Sequence, residues 1–210
     1  YLILFAAYER LPAQIAQPIN YSWSIVLVFL SAMVLGQKVT ARDWLAALIC
    51  YAGVFLIATQ GHVDPSVGAD WLGIGFAVVS TVIWAGYWTV SIRDPRSTET
   101  AMAACFLMSL PATAMLCATL SDLSVSTYGF AGAAYIGLFE MSLAFLGWGT
   151  ALKLTDRTAR ISNLIFLSPL ASLVMIHFVL GEDIQTTTAI GLVLIVSALI
   201  YQQRQGSAIQ

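Results

Sequence analysis

Residues 71–96 read WLGIGFAVVSTVIWAGYWTVSIRDPR. The stretch carries no charge before Arg93, and a helix needs about 20 consecutive apolar residues to cross the hydrocarbon core of a bilayer. The break Arg93-Asp-Pro-Arg96 then supplies two basic residues and a proline, which removes a backbone N–H and interrupts a helix. An uncharged run of membrane length that ends in a short basic break predicts a membrane-spanning helix.

The same pattern recurs along the whole chain. Long apolar runs lie at 12–35, 41–59, 70–91, 100–120, 127–152, 159–180 and 186–203, after a shorter run at 1–8. The composition agrees with a lipid environment, because 59% of the residues are hydrophobic and only 10% are charged, against about 25% charged in soluble chains. We therefore predict an all-α integral membrane protein with seven complete spans and one partial span.

Basic residues mark one side of this predicted topology. Eight of the nine fall on alternate breaks or at the C-terminus: Lys38, Arg42, Arg93, Arg96, Lys153, Arg157, Arg160 and Arg204. Because loops rich in Lys and Arg stay in the cytoplasm, these breaks and the C-terminus are predicted to be cytoplasmic in a multi-pass protein of the inner (plasma) membrane. Arg10 is the exception. Either the adjacent Glu9 neutralises it locally, or its segment is imperfectly placed.

The composition also argues against several kinds of partner. The net charge of −2 leaves no basic stripe for nucleic acid, and no glycine-rich phosphate loop with its lysine is present. Cys50, Cys105 and Cys117 lie inside apolar runs, without the spacing of metal ligands or of a disulfide framework. We expect them to be small core residues and expect no metal or cofactor, so that the predicted partners are a small-molecule substrate and the lipid bilayer.

A short internal similarity suggests a duplicated architecture. Val34-Leu-Gly36 recurs as Val179-Leu-Gly181, and each copy closes a long span, precedes two polar residues and leads into a final span. Chance recurrence of common residues is the alternative. If the repeat is genuine, residues 1–60 are the remainder of a first repeat (the end of helix 3, helices 4 and 5). Residues 66–204 are then a second, inverted repeat (helices 6 to 10), and equal halves imply about 75 residues before Tyr1.

Several positions resemble one family of carriers. They are Pro12-Ala13, the span end Leu35-Gly36, Pro169 and Leu180-Gly181-Glu182. In these the chain resembles the drug/metabolite transporter superfamily in its EamA-type, ten-helix duplicated form. That resemblance implies helices around a central cavity that opens alternately to each side and exports amino acids or similar metabolites.

Two stretches resemble the aromatic amino-acid exporter branch of that superfamily. Asn20-Tyr-Ser-Trp-Ser24 followed by Gly36-Gln-Lys38 matches the branch pattern Asn-Tyr-x-Trp-Pro and Gly-Gln-Lys, and Trp84-Ala-Gly-Tyr-Trp-Thr-Val90 matches its Trp-Ala-x-Tyr-x-Thr-Val helix. Ser24 stands where the branch usually has proline. Since proline removes an intrahelical hydrogen bond, we expect the helix at 12–35 to be straighter in this chain.

Aromatic and polar residues in these stretches are the candidate substrate site. Trp84 and Trp88 stand one helical turn apart with Tyr87 beside them, and such a wall suits an apolar or aromatic side chain through stacking and cation–π contact. Core or lipid packing is the alternative. Asn20, Tyr21 and Trp23 in the first half, with Asn163 and Ser168 in the second, could present hydrogen bonds at mid-depth. Ordinary hydrogen bonding between helices is the alternative for these.

Glu140 is the one acidic residue near the middle of a predicted span. A charged side chain there costs about 2.5–3.5 kcal/mol on insertion scales, and intramembrane acids usually face a cavity or a partner. We interpret Glu140 as a carboxylate that titrates protons or binds the ammonium group of a substrate. A protonated glutamic acid hydrogen-bonded to a neighbouring helix is the alternative.

Together these features predict a secondary transporter that exports aromatic or other apolar amino acids, or related small metabolites, through a central cavity. An intramembrane enzyme would need clustered catalytic groups at one depth, which the sequence does not offer, so no enzymatic activity is expected. A further alternative is a non-functional fragment that lacks the helices closing one wall of the cavity.

Overall fold

A computed structural model describes residues 1–59, 61–62, 70–120, 126–168, 171 and 186–203. The described elements are helical. They are α1 (Leu2–Tyr8), α2 (Ala13–Tyr21), α3 (Trp23–Met33), α4 (Ala41–Thr59), α5 (Trp71–Arg93), α6 (Thr98–Leu120), α7 (Thr127–Tyr135), a π-helical segment (Ile136–Ala144), α8 (Phe145–Leu154), α9 (Thr158–Asn163), a 3-10 turn (Leu164–Phe166) and α10 (Thr186–Gln203).

Within the described ranges, five helical stretches are long and apolar enough to cross a membrane: α4, α5, α6, the continuous stretch from α7 to α8, and α10. They coincide with five predicted runs to within about two residues, and the prediction of an all-α membrane protein is confirmed. The run at 159–180 is described only in its first part. Pro169 and the repeat copy at 179–181 lie outside the described residues.

The span at 12–35 is interrupted, contrary to the expectation of a straighter helix. It divides at Ser22 into α2 and α3. Pro18 lies inside α2 and has no backbone N–H to bond. The Ile19 carbonyl accepts from the N–H of Ser22 at 3.1 Å and from its Oγ at 2.6 Å. It also accepts from Thr81 Oγ1 on α5 at 3.1 Å. The helix is thus interrupted two residues before position 24, although that position holds serine and not the family's usual proline.

Among the described helices, the most extensive contact joins α4 to α10. The two helices cross at Gly53 and Gly191, where a Cβ on either glycine would lie 2.8 Å from the backbone oxygen of the other. Ile57 and Ile195 fill the space beside the glycines. Small residues at a crossing let two backbones approach closely, which is the usual basis of helix association in lipid.

The chain forms two compact units, Tyr1–Thr89 with Asp156–Gln210, and Val90–Thr155. In the first unit, Cys50 is buried beside Phe166 and Ile195 in the core between α4, the 3-10 turn and α10. In the second unit, Cys105 and Cys117 are exposed on α6. The prediction that all three cysteines are core residues is therefore wrong for those two, because apolar runs in a membrane protein also supply its lipid-facing surface.

Contacts within the first unit join chain breaks that are predicted to lie on the same side of the membrane. Gln37 Oε1 accepts from the N–H of Thr158 at 2.9 Å, and Asp43 accepts from Gln202. At the other ends of the helices, Arg10 Nη1 lies 3.1 Å from Asp70 Oδ2. The partner that neutralises Arg10 is thus Asp70, across two breaks predicted to share a side, and not Glu9.

Candidate functional site

Among the described residues, four aromatic rings surround Trp84. Its ring centroid lies 5.6 Å from Tyr1, 6.5 Å from Trp23, 5.8 Å from Tyr87 and 5.8 Å from Trp88. Tyr87 and Trp88 also contact each other at 5.0 Å. All these separations fall in the range of favourable ring–ring contacts. We call Tyr1, Trp23, Trp84, Tyr87 and Trp88 the aromatic cluster.

The aromatic cluster has an inner and an outer layer. Trp23 and Trp88 are 6% and 2% exposed and meet Trp84 edge-on. Trp84 and Tyr87 are half-buried and stack with an interplanar angle of 20°. The buried indoles therefore support a stacked pair that keeps part of its surface accessible, and a flat apolar group can pack against that surface.

Local chain geometry explains how these rings come together. Trp84, Tyr87 and Trp88 lie on one side of α5, because residues three and four apart are neighbours on a helix. Trp23 is the first residue of α3, directly after the interruption at Ser22. The hydrogen bond from Thr81 to the Ile19 carbonyl ties α5 to that interruption and so brings Trp23 next to Trp84.

The other predicted site residues have different surroundings. Tyr21 stacks on Phe166 at 6.5 Å. Asn163 is fully buried and donates from Nδ2 to the Asp43 carbonyl at 3.3 Å. Asn20 is half-buried, and Ser168 is exposed. Of the nine predicted residues, the structure gathers Trp23, Trp84, Tyr87 and Trp88.

Glu140 lies in the second unit, where it is exposed at the centre of the π-helical segment. Each turn of a π-helix contains more residues than a turn of an α-helix. Accordingly, Ser142 Oγ donates to the carbonyl of Gly137, five residues earlier, at 2.8 Å. Runs of π-helix are rare and occur frequently at functional sites. The sequence predicted an α-helix at this position and gave no signal for the change in winding.

Sequence reasoning missed a buried polar set on α3, α4, α9 and α10. Asp43 is 3% exposed. Its Oδ2 accepts from the N–H and Oγ1 of Thr40 at 2.9 and 2.8 Å, and its Oδ1 accepts from Gln202 Nε2 at 2.9 Å. Ser24 and Ser162 bond each other across α3 and α9. The spacing of Thr40 and Asp43, typical of a helix capping box, was the available signal.

Among the described residues outside the membrane-spanning segments, two carboxylates are held in the charged form. The Arg96 guanidinium and backbone N–H lower the pKa of Asp94 to about 2. The N–H of Gly73 and the Arg10 side chain lower the pKa of Asp70. In the second unit, Lys153 Nζ donates to the carbonyls of Asp94 and Arg96 at 3.0 and 2.6 Å. These charges stabilise chain breaks.

No metal centre competes with the aromatic cluster in the described ranges, where no three His, Cys, Asp or Glu side chains come together. A shallow apolar groove lies between the 3-10 turn and α10, lined by Leu164, Leu167, Val196, Leu199, Ile200 and Gln203. It contains none of the predicted site residues. Its nearly apolar lining offers little to orient the charged groups of an amino acid.

Comparison with known proteins gives one family. The pattern of the EamA-like transporter family matches residues 1–59 and 71–201. A solved crystal structure superposes with a TM-score of 0.85 at 20% identity, over 96% of this chain and 71% of that one, which shows the shared fold.

Curated relatives include proteins that are described as a transporter or an exporter. Protein PecM of Dickeya dadantii is 25% identical, over 96% of this chain and 68% of its own length. An uncharacterized transporter of Archaeoglobus fulgidus is 27% identical, over 86% and 64%. The aromatic amino acid exporter YddG of Ancylobacter novellus is 27% identical, over 72% and 54%. The chain therefore spans about half to two thirds of the length of these relatives.

Proposed function

The chain belongs to the EamA-like transporter family, which is an integral membrane family. We propose that the chain forms part of an exporter of aromatic amino acids. The observation that carries this proposal is the aromatic cluster, in which two buried indoles support a half-buried stacked pair. The name of one relative, an aromatic amino acid exporter, supports the same substrate class. The predicted halves, 1–60 and 66–204, would form the two walls of an alternating-access carrier.

In this proposal the substrate ring packs against Trp84 and Tyr87, and its charged groups meet polar atoms at the helix interruption. Asn20 is half-buried one turn before Trp23 and can bond an amino or carboxylate group. The interruption also places backbone carbonyl and N–H groups at mid-span, which is how transporters commonly present polar contacts in the membrane. Tyr21 and Ser168 remain candidates for the walls of the path. Asn163 acts as a positioning residue through its bond to Asp43.

Transport of phenylalanine tests the proposal. In proteoliposomes, Trp84→Ala removes a ring with four ring neighbours. The substitution also removes the proposed contact between this ring and the substrate ring. Such a contact contributes about 0.5–1.5 kcal/mol beyond the apolar area that it buries, and 1.4 kcal/mol corresponds to a factor of ten. Efflux at low substrate concentration should therefore fall at least about tenfold.

The matched control is Trp71→Ala, which removes a tryptophan that is 77% exposed at the start of α5. It should leave phenylalanine efflux within about twofold of the parent, as expected for an interface anchor. Equal losses from the two substitutions would contradict a substrate role for the aromatic cluster.

Glu140 supports a separate proposal, that proton movement is coupled to export. Its carboxyl group lies in the rare winding of the π-helical segment, and an intramembrane acid suits proton exchange. In the same vesicles, Glu140→Gln should flatten the pH dependence of efflux. An unchanged rate and pH profile would rule out this role.

A further inference from the structure

The short helix α9 is joined to α3 by a reciprocal pair of serines. Ser24 Oγ lies 2.9 Å from both the carbonyl oxygen and the Oγ of Ser162, and Ser162 Oγ lies 2.9 Å from the Ser24 carbonyl. Both residues are fully buried. Ser31, also buried on α3, instead donates to Val28 in its own helix. The Ser24–Ser162 pair is therefore a bond between helices.

Two further bonds fasten the same helix. Gln37 Oε1 accepts from the N–H of Thr158 at 2.9 Å and so caps one of the N–H groups that the start of a helix leaves unpaired. At the other end of α9, Asn163 donates to the Asp43 carbonyl. We call Ser24, Gln37, Asp43, Thr158, Ser162 and Asn163 the α9 seam.

The α9 seam has a chemistry suited to reversible contact. Its bonds are those of uncharged hydroxyl, amide and backbone groups. Water can replace bonds of this kind at small net cost, because the groups remain hydrogen-bonded in either state. An apolar contact of the same extent would lose its stabilisation on exposure to water. The seam can therefore open into a water-filled path and close again.

The position of the seam links it to the aromatic cluster. Ser24 directly follows Trp23, so separation of α3 from α9 moves the backbone that carries an inner ring of the cluster. The seam also begins at Gln37 and Thr158, in the two breaks that the basic residues predict to be cytoplasmic. It joins the predicted first half of the molecule to the predicted second half.

We propose that the α9 seam is a lock on the cytoplasmic end of the transport path, and that it separates and re-forms in every cycle. This inference rests on the proposed transport function, because a carrier with alternating access must part its halves at each end in turn. The seam holds α9 against α3 and α4 in the closed state, and its parting opens the path beside Trp23.

A reversible cross-link tests the lock through transport. The Oγ atoms of Ser24 and Ser162 are 2.9 Å apart, so the variant S24C/S162C brings two sulfurs within reach of a disulfide of about 2.05 Å. The background carries alanine at Cys50, Cys105 and Cys117. Oxidation should reduce phenylalanine efflux at least about tenfold, and a reductant should restore it. The single variant S24C, treated identically, should not respond. The lock would be overturned if the cross-linked protein exported phenylalanine at half the rate of the chemically reduced protein or faster.

A second readout does not depend on transport. Thr158 is fully buried, and its hydroxyl has no hydrogen-bond partner among the described residues, so Thr158→Cys is a mild reporter in the cysteine-free background. N-ethylmaleimide should alkylate this cysteine slowly in membranes. The alkylation rate should rise at least about fivefold when Ser24→Ala or Ser162→Ala is added, because each substitution removes about one net hydrogen bond from the closed state. Ser31→Ala is the matched control and should change the rate less than twofold.

The two readouts separate the lock from the function. If the variant S24C/S162C exports no phenylalanine even with its disulfide reduced, the proposed function fails. The alkylation rates alone then show whether the α9 seam opens. If the serine variants retain the helical circular dichroism of the parent and leave the alkylation rate of Thr158→Cys unchanged, the seam is a static contact and the lock is wrong.

Discussion

Asp94 shows how a single charge stabilises the turn between α5 and α6. Its carboxylate accepts from Arg96 Nε and Nη2, the latter at 2.6 Å, and Arg96 lowers the pKa of Asp94 to about 2. A lowered folded-state pKa contributes stability above the unfolded value, near 3.9, and loses it as the pH falls through the folded value. The contribution of Asp94 should therefore be constant from pH 7 to about 4 and should disappear towards pH 2.

The comparison that isolates this contribution is Asp94→Asn. The melting temperature of the detergent-solubilised parent should exceed that of the variant at pH 7, and the two should converge between about pH 4 and pH 2. A gap that persists at pH 2, or that opens only above pH 5, would show that another group is responsible.

Contacts between residues close in sequence could be predicted, whereas contacts between distant residues could not. Trp84, Tyr87 and Trp88 could be grouped from their spacing because a helix fixes its own neighbours. The hydrogen-bond partner of Asn163 could not be predicted, since it is a backbone carbonyl 120 residues away in sequence. Tyr21 and Trp23 are near neighbours in sequence, yet the interruption at Ser22 lets one stack on Phe166 and the other meet Trp84.

Among the helices, the pairing of α4 with α10 depends on a close crossing. A Cβ added to Gly53 would lie 2.7 Å from Ile195 Cγ1 and 2.8 Å from the Gly191 oxygen, and a backbone atom cannot move aside as a flexible side chain can. Gly53→Ala should therefore destabilise the protein by about 1–3 kcal/mol, as overpacking typically does. Thermal unfolding in detergent measures this change.

Gly75→Ala is the control, because a Cβ at Gly75 on α5 meets nothing within 4 Å. Alanine has the higher helix propensity by up to about 1 kcal/mol, so this substitution should be neutral or stabilising. A loss of stability as large as that of Gly53→Ala would contradict a specific crossing of α4 and α10.

Helix existence was easier to predict than helix shape. Apolar runs of membrane length define where spans occur, because the bilayer sets that length. The interruption at Ser22 and the π-helical segment depend on how hydrogen bonds rearrange locally, and hydropathy does not record this. Serine in place of proline at position 24 gave the opposite expectation for the helix at 12–35.

The distribution of basic residues along the chain predicts its orientation in the membrane. His62 lies in a break without Lys or Arg, and Arg96 lies in a basic one. In intact cells, a membrane-impermeant maleimide should label His62→Cys, and it should label Arg96→Cys only after permeabilisation. The reverse pattern would place the C-terminus outside the cell.

We propose that the aromatic cluster recognises an aromatic side chain, and a measurement of ligand binding tests this claim. Titration calorimetry of the purified chain should show that phenylalanine binds at least about tenfold more tightly than alanine, a difference of about 1.4 kcal/mol. In Trp84→Ala that preference should vanish, while in Trp71→Ala it should remain. Equal affinity for the two amino acids, or a preference that survives in Trp84→Ala, would contradict the claim.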